Sequence, residues 1–147
     1  IGDNNIIREY STINLPTRFS KITSIGSNCY FMALSHIAHD CVVADNVIFS
    51  NNATLGGHVH IMQNAQVGFS ATIHQYQVIG SYCMIGMGTV IPRNKKILPG
   101  TKWVGNPAKM LGMNDVGLQR AGISEEDLEK EKQYYENISR RLNSHTS

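Results

Sequence analysis

The sequence predicts a parallel β-helix of hexapeptide repeats, followed by a short α-helical extension. From Ile1 to Ile91 every sixth residue is large and apolar. From Thr23 to Thr89 the residue two positions before each of them is small, except at Gln77. An amphipathic helix has a period of 3.6 and a flat strand a period of two, whereas a strict period of six is typical of a parallel β-helix. The large residue is expected to fill the interior, and the small one to let the chain turn a corner.

Three such hexapeptides make one triangular coil. Residues eighteen positions apart therefore stack on neighbouring coils, about 4.8 Å apart. The repeat weakens between residues 14 and 23, where Pro16 predicts a loop at a corner because proline cannot donate to an interior ladder. It ends where Pro92, Pro99 and Pro107 interrupt the pattern.

Beyond the repeat the sequence predicts two helices. Residues 115–121 suit a short helix that ends at Gly122. Ser124 and Asp127 then resemble a capping box at the start of a second helix. This helix has one apolar face, formed by Leu128, Tyr135, Ile138 and Leu142. We expect that face to pack on the β-helix or on a neighbouring subunit.

These boundaries predict two parts. Residues 1–109 are expected to form the β-helix domain and residues 110–147 the helical extension. The sequence opens at Ile1, inside a repeat and without a methionine, so we expect that N-terminal coils are missing from it.

Composition limits the function. The 147 residues are 41% apolar and 16% charged, which suits one globular domain, and the net charge of +2 is too mild to indicate a nucleic-acid partner. No apolar run reaches the roughly 20 residues of a membrane span, and no signal peptide is visible, so we expect a cytoplasmic protein. The chain has three cysteines, Cys29, Cys41 and Cys83, and no CxxC motif. This pattern does not suggest a disulfide framework or a zinc ribbon.

The stacking rule gathers histidines on one edge of the prism. His39 and Gly57 are eighteen residues apart, so Gly57 is expected to lie over His39 on the next coil. Gln75 lies over Gly57 in the same way. His58 and His74 flank these positions, and a fourth histidine, His36, is on the strand that leads into the edge.

This arrangement suits acid–base chemistry. An imidazole can accept a proton near neutral pH, and the carboxylate of Asp40 could fix its tautomer. A glycine one coil away can offer an unobstructed backbone N–H to a developing oxyanion. No serine–histidine pair or reactive-cysteine context indicates a covalent intermediate, so the residues favour direct acyl transfer to a hydroxyl or amine.

A metal site is the rival interpretation of the histidines, because histidine is the commonest metal ligand. Hexapeptide trimers of the γ-type carbonic anhydrase class hold zinc between subunits, but this chain has no H-x4-H pair. On ligand spacing we therefore predict no metal site and no cofactor.

Six stretches of the sequence, in order and with near-identical gaps, closely resemble the acyl-carrier-protein-dependent UDP-N-acetylglucosamine O-acyltransferases of lipid A synthesis. They are residues 1–9, 36–41, 51–55, 57–59, 74–75 and 114–118. The resemblance implies a left-handed coil and a homotrimer with active sites between subunits. It also implies acyl carrier protein as donor partner and a UDP-sugar as acceptor.

The resemblance implies a role for each matched residue. His39 would be the general base on the sugar 3-hydroxyl, Asp40 its orienting partner, and the Gly57 N–H the oxyanion hole. Asn114 and Arg120 would reach the nucleotide or its phosphates. The pocket for sugar, phosphate and acyl chain would be lined by His36, His58, His74 and Gln75.

Three positions depart from the family pattern. Met87 occupies the position that, in the family, forms the floor of the acyl groove and limits the length of the acyl chain. A methionine there fills the groove, so the resemblance implies a medium-length 3-hydroxyacyl donor. Ala121 replaces a second arginine, and Phe69 replaces a glycine. The Asp and Lys that the family pocket also uses would lie upstream of Ile1.

A cluster of basic residues follows the last coil and could dock an acidic carrier protein. It consists of Arg93, Lys95, Lys96, Lys102 and Lys109.

Two alternatives to the O-acyltransferase stay open from the sequence. One is a related hexapeptide enzyme that acylates an amino-sugar nucleotide on nitrogen, for which activity would depend less on His39. The other is a non-catalytic β-helical trimer that keeps the pocket only for binding or assembly.

Overall fold

The computed structural model describes residues 1–144, and residues 145–147 of the predicted extension lie outside the described part. Two-residue strands follow one another along the chain, mostly at six-residue intervals. They are β1 (Ile6–Ile7), β2 (Thr12–Ile13), β3 (Ser24–Ile25), β4 (Tyr30–Phe31), β5 (His36–Ile37), β6 (Val42–Val43), β7 (Ile48–Phe49), β8 (Thr54–Leu55), β9 (His60–Ile61), β10 (Gln66–Val67), β11 (Thr72–Ile73), β12 (Val78–Ile79), β13 (Met84–Ile85) and β14 (Val90–Ile91). Two longer strands and two helices complete the fold, namely β15 (Thr101–Val104), β16 (Lys109–Met113), α1 (Asp115–Ala121) and α2 (Glu125–Ser144).

The strands form three sheets, one for each side of a triangular prism. Sheet A has the order β1-β4-β7-β10-β13-β15-β16, sheet B the order β14-β11-β8-β5-β2, and sheet C the order β12-β9-β6-β3. All neighbours are parallel except β15 and β16, which pair antiparallel and close the last coil. Stacked partners such as Val67 and Ile85 are eighteen residues apart. The predicted parallel β-helix with a C-terminal helical extension is confirmed.

The interior contains the large residues of the repeat. From Phe31 onward they are almost completely buried, and the rings of Phe31 and Phe49 pack with centroids 5.1 Å apart and planes tilted by 30°. The small residues that precede them, such as Cys41 and Ala53, are also fully buried at the corners. Gln77 breaks the small-residue pattern but is buried too, because its side-chain amide donates to the carbonyl of Pro92 (2.8 Å).

Three positions of the six-residue pattern do not lie in the core. Ile1 and Ile7 are 73% and 44% exposed, because no described coil packs beneath them. Phe19 is 76% exposed, because it belongs to a loop rather than to a coil. The repeat therefore predicts interior positions only where a coil is stacked on each side.

The loop predicted around Pro16 is an insertion of six residues. Thr12 pairs with His36, twenty-four positions away, whereas Ser24 pairs with Val42 at the regular eighteen. The extra residues lie between β2 of sheet B and β3 of sheet C. They therefore project from the prism edge that these two sheets share.

The two helices have the caps that the sequence predicts, but residues 110–113 of the predicted helical extension lie in strand β16. The Asn114 side chain caps α1 by accepting from the Gly117 N–H, and Gly122 ends the helix at a φ of 65°. At the start of α2 the Ser124 hydroxyl accepts from the Asp127 N–H (3.1 Å), as in a capping box. Although α2 spans 20 residues, neither described helix is sufficiently long and apolar to cross a bilayer.

Helix α2 packs against sheet C. Tyr135 and Ile138 are buried against Met62 and Val78 on the outer face of that sheet. The Tyr135 hydroxyl also accepts a hydrogen bond from the backbone N–H of Ile97 (3.0 Å). Burial raises the pKa of Tyr135 to about 12, so the phenol stays protonated. The extension is thus attached to the β-helix by an apolar contact and one buried hydrogen bond.

We predict that Tyr135→Phe lowers the free energy of unfolding by about 1–3 kcal/mol, because it leaves the buried Ile97 N–H without an acceptor. Tyr134→Phe is the matched control, since Tyr134 is 56% exposed. Urea denaturation of both variants measures the difference. Equal stability of the two variants would contradict a structural role for this hydrogen bond.

Candidate active site

The edge between sheets B and C places the candidate residues above one another. At each successive corner one residue adopts a left-handed backbone conformation: Asp40 (φ 61°), His58 (φ 59°) and Tyr76 (φ 60°). The His58 N–H donates to the carbonyl of His39 on the coil below (3.0 Å). The predicted stacking is therefore present, with Gly57 over His39 and His58 over Asp40.

His39, Asp40 and His58 form a compact cluster. Nδ1 of His39 lies 2.7 Å from Oδ2 of Asp40, and Nε2 of His58 lies 3.6 Å from the same oxygen. The two imidazole rings meet edge to face at 5.3 Å, and His58 stacks in parallel on Tyr76 at 4.4 Å. The Asp40 side chain is fully buried, whereas that of His39 is 40% exposed. The cluster thus has a buried anion and a solvent-accessible imidazole.

The inserted loop surrounds the Asp40 carboxylate. Oδ1 accepts from the Thr17 N–H (3.0 Å) and from the Ser20 hydroxyl, and Oδ2 accepts from the Thr17 hydroxyl (2.6 Å). Burial by itself would raise the pKa of Asp40. The hydrogen bonds from Ser20, Thr17 and His39 outweigh that effect and hold the pKa well below its usual range. Asp40 is therefore a carboxylate at neutral pH.

An ionised Asp40 fixes the tautomer of His39. A carboxylate can only accept, so the hydrogen bond places the proton of the neutral imidazole on Nδ1. Nε2 then keeps a lone pair that can accept a proton. This is the protonation state that a general base needs.

Sequence reasoning missed Thr17, Ser20 and Tyr76. The signal for the first two was available, because the eighteen-residue rule places the loop at 14–23 on the same edge as Asp40, one coil below it. Their contact with the carboxylate required the path of the loop. Tyr76 lies eighteen residues after His58, and this spacing predicts the stacking that the structure shows.

Position 57 must be a glycine because it lies directly against the His39 ring. A Cβ at this position would lie 2.5 Å from Cε1 and 2.8 Å from Nε2 of the His39 ring. No side chain larger than hydrogen fits unless the imidazole moves. Within residues 1–144 the Gly57 N–H has no hydrogen-bond acceptor. A potential base and an available backbone donor are therefore direct neighbours.

The other predicted pocket residues on this side of the prism are His36, His74 and Gln75. His36 points outward from β5, and its Nδ1 pairs with the Thr12 hydroxyl (2.7 Å). His74 and Gln75 are exposed one coil above Gly57, and Nδ1 of His74 contacts the Gln75 carbonyl (3.1 Å). The structure brings all of the predicted histidines to one edge and its adjoining sheet.

Asn114 and Arg120 do not join this group within one chain. They line a separate cavity of about 270 Å³ against sheet A. Asn114 also has structural partners, since it caps α1 and donates to the Tyr82 carbonyl (2.9 Å). The nucleotide-binding residues implied by the resemblance are thus on a different side of the prism from His39.

Met87 is on the neighbouring edge, between sheets A and B. It is 76% exposed and lies one coil above Phe69, which is 53% exposed, and the Gly88 N–H donates to the Phe69 carbonyl (2.8 Å). These two apolar side chains face solvent on one chain. Sheet B separates them from His39.

The basic cluster is only partly available for an acidic partner. Lys96 forms an ion pair with Glu136 (3.0 Å), and Nζ of Lys95 lies 5.9 Å from the ring centroid of Trp103. Lys109 is exposed on β16. The cluster therefore surrounds the junction between the last coil and α2.

Two family descriptions match parts of the chain. Residues 22–57 match the bacterial transferase hexapeptide (six repeats), and residues 97–146 match domain 2 of the UDP N-acetylglucosamine O-acyltransferases. These matches cover part of the β-helix and nearly all of the helical extension.

Curated relatives that match almost the whole chain share one name. The acyl-[acyl-carrier-protein]–UDP-N-acetylglucosamine O-acyltransferase of Gloeothece citriformis is 39% identical over 140 residues, covering 95% of this chain and 50% of its own. That of Alkalilimnicola ehrlichii is 41% identical over 136 residues, covering 92% and 52%. The chain spans about half the length of the curated relatives that it matches.

Solved structures agree with these matches. The UDP-N-acetylglucosamine acyltransferase of Arabidopsis is 34% identical with a TM-score of 0.80, covering 90% of this chain and 46% of its own. That of Campylobacter jejuni is 37% identical with a TM-score of 0.80, covering 90% and 52%. Sequence and fold thus point to the same group of proteins.

We predict that Asp40→Asn destabilises the protein at neutral pH and that the loss shrinks in acid. Because the folded-state pKa of Asp40 is lowered, its charge stabilises the fold above about pH 4, the unfolded value for Asp, and the stabilisation disappears as the pH falls further. Urea denaturation between pH 7 and pH 2.5 compares the variant with the wild type. A difference in stability that stays constant over this range would contradict the prediction.

Proposed function

Because the chain belongs to the UDP-N-acetylglucosamine O-acyltransferase family, we propose that it transfers a 3-hydroxyacyl group from acyl carrier protein to the 3-hydroxyl of UDP-N-acetylglucosamine, the first step of lipid A biosynthesis. The observation that carries the proposal is the position of His39 between a buried carboxylate and an unobstructed glycine backbone. This is a base beside an oxyanion donor, which direct acyl transfer requires.

In the proposed reaction Nε2 of His39 removes the proton of the sugar 3-hydroxyl. The hydroxyl oxygen attacks the thioester carbonyl, and the Gly57 N–H stabilises the negative charge that develops on the carbonyl oxygen. Collapse of this intermediate breaks the carbon–sulfur bond, and the imidazolium returns its proton to the thiolate that leaves. Asp40 stays ionised throughout and stabilises the transient positive charge on His39.

The neighbouring polar side chains suit a sugar phosphate. His36, His58, His74 and Gln75 present ring nitrogens and an amide around the same edge, and these groups can donate to hydroxyl and phosphate oxygens. We assign them to the acceptor pocket.

A homotrimer remains the proposed assembly, with the cytoplasm as its compartment, as the resemblance implies. Asn114 and Arg120 are separated from His39 within one chain, so a site that uses all three residues requires a second subunit. In the proposed trimer these two residues extend from one subunit toward the nucleotide bound at the His39 edge of the next.

We assign binding of the acyl donor to Met87, for the acyl chain, and to the basic cluster, for the carrier protein. An exposed methionine beside Phe69 fills space that a glycine would leave open, so we propose a medium-length acyl chain. The lysines at the end of the β-helix are the proposed docking surface for the acidic carrier protein.

We predict that His39→Ala lowers kcat by about 10²–10⁴-fold, because the attacking hydroxyl loses its base. His74→Ala is the comparison: it should raise KM for the nucleotide sugar with a smaller effect on kcat, since His74 is assigned to binding. Steady-state kinetics with acyl carrier protein thioesters measures both constants.

Near-wild-type turnover of His39→Ala would overturn the mechanism. Turnover of an amine acceptor in preference to the hydroxyl would instead favour the N-acyltransferase alternative. Nucleotide binding by calorimetry without turnover in the wild type would favour a non-catalytic protein.

We predict that Met87→Gly shifts the donor preference toward longer acyl chains, because it removes an exposed side chain from the proposed acyl groove. Met84→Gly is the matched control, since Met84 is 44% exposed on β13 and lies outside the assigned groove. Competition between carrier-protein thioesters of different lengths measures the preference. An unchanged preference in Met87→Gly would contradict the assignment.

A further inference from the structure

The cluster of His39, Asp40 and His58 contains the donor atoms of a metal site as well as those of a base. One donor atom from each of the three residues lies within 4.8 Å of the other two. Nδ1 of His39 and Nε2 of His58 are the atoms nearest the Asp40 carboxylate, at 2.7 and 3.6 Å from Oδ2. The sequence gathers these residues on one edge, but its linear ligand spacing predicts no metal site, because the two histidines are nineteen residues apart. The structure adds the contacts of both rings with one carboxylate oxygen of Asp40.

We propose that this cluster is a Zn²⁺ site and that zinc bound there inhibits the protein. Two imidazoles and one carboxylate are a ligand set that zinc accepts, with a fourth position left for water. The set is far less suited to magnesium, which prefers oxygen ligands in an octahedron.

The distances fit this interpretation after a small rotation of one ring. Zinc ligands at about 2.0–2.2 Å from the metal in a tetrahedron are about 3.3 Å from each other. The separation of 3.6 Å between His58 Nε2 and Asp40 Oδ2 is already close to that value. The His39–Asp40 pair, at 2.7 Å, must open slightly, and His39 has room to move because its side chain is 40% exposed.

The surroundings support the carboxylate as a ligand. Thr17 and Ser20 hold Asp40 through three hydrogen bonds, and His58 is fixed by its stack on Tyr76. Such outer contacts orient ligands before the metal arrives. The His39 side chain is 40% exposed, so the cluster borders solvent on the His39 side.

Inhibition follows from the tautomer of His39. Zinc takes the place of the proton on Nδ1, which is released to solvent, and the one N–H of the neutral ring is then on Nε2. Nε2 can no longer accept the proton of a hydroxyl. This inhibitory role rests on the proposed function, whereas zinc binding itself does not.

The binding test is calorimetric titration of the full chain with ZnCl₂ alone. We expect one Zn²⁺ per chain, a loss of affinity of at least tenfold in both His58→Asn and Asp40→Asn, and no change in His74→Asn, the control on the same edge. Ser20→Ala should weaken binding about 10–100-fold without removing a ligand. Circular dichroism checks that each variant is folded, and His58→Asn decides the result if Asp40→Asn does not fold.

Two further measurements complete the test. Co²⁺ in place of zinc should give no thiolate charge-transfer absorption, which excludes Cys29, Cys41 and Cys83 as ligands. Unchanged zinc affinity in folded His58→Asn, or a thiolate band, overturns the site. Zinc should also lower the transfer rate as strongly as His39→Ala, about 10²–10⁴-fold, and a chelator should restore it. Full activity of the zinc-loaded protein overturns the inhibition, while an inactive wild type contradicts only the proposed function.

Discussion

The backbone hydrogen bonds between stacked coils are the constraint on which the rest of the structure depends. Each coil donates to the next at a spacing of eighteen residues, so residues far apart in sequence become direct neighbours. The same bonds fix the left-handed corners, and at one edge these corners contain Asp40, His58 and Tyr76. The candidate site is therefore built from corner residues of a rigid scaffold, which places the His39 imidazole against the Gly57 backbone.

The inserted loop is the one irregular element that the site requires. A buried carboxylate without hydrogen bonds would take up a proton and lose its hold on His39. Thr17 and Ser20 prevent this by donating to Asp40, and they do so from six residues added to the coil below. The same hydrogen bonds keep Asp40 ionised, as both the proposed base and the proposed metal site need.

Much of this arrangement follows from sequence periodicity. The β-helix, the helices, the position of Gly57 over His39 and the gathering of the histidines could all be predicted. The sequence could not predict that Ile1 and Ile7 lie outside the core, because burial depends on a neighbouring coil and not on the repeat itself. It also could not show that Asn114 and Arg120 face a cavity on another side of the prism, because the route of the chain after Pro107 has no fixed period.

By itself the sequence determined the fold class and which residues share an edge, because a period of six leaves one solution for stacking apolar side chains. Only the tertiary structure decided which side chains contact one another at the His39 edge. It placed Thr17 and Ser20 on the Asp40 carboxylate, put the His39 ring against Gly57, and brought Nε2 of His58 to the same oxygen. These contacts depend on the path of a loop and on side-chain directions across two coils, and neither is encoded in spacing along one strand.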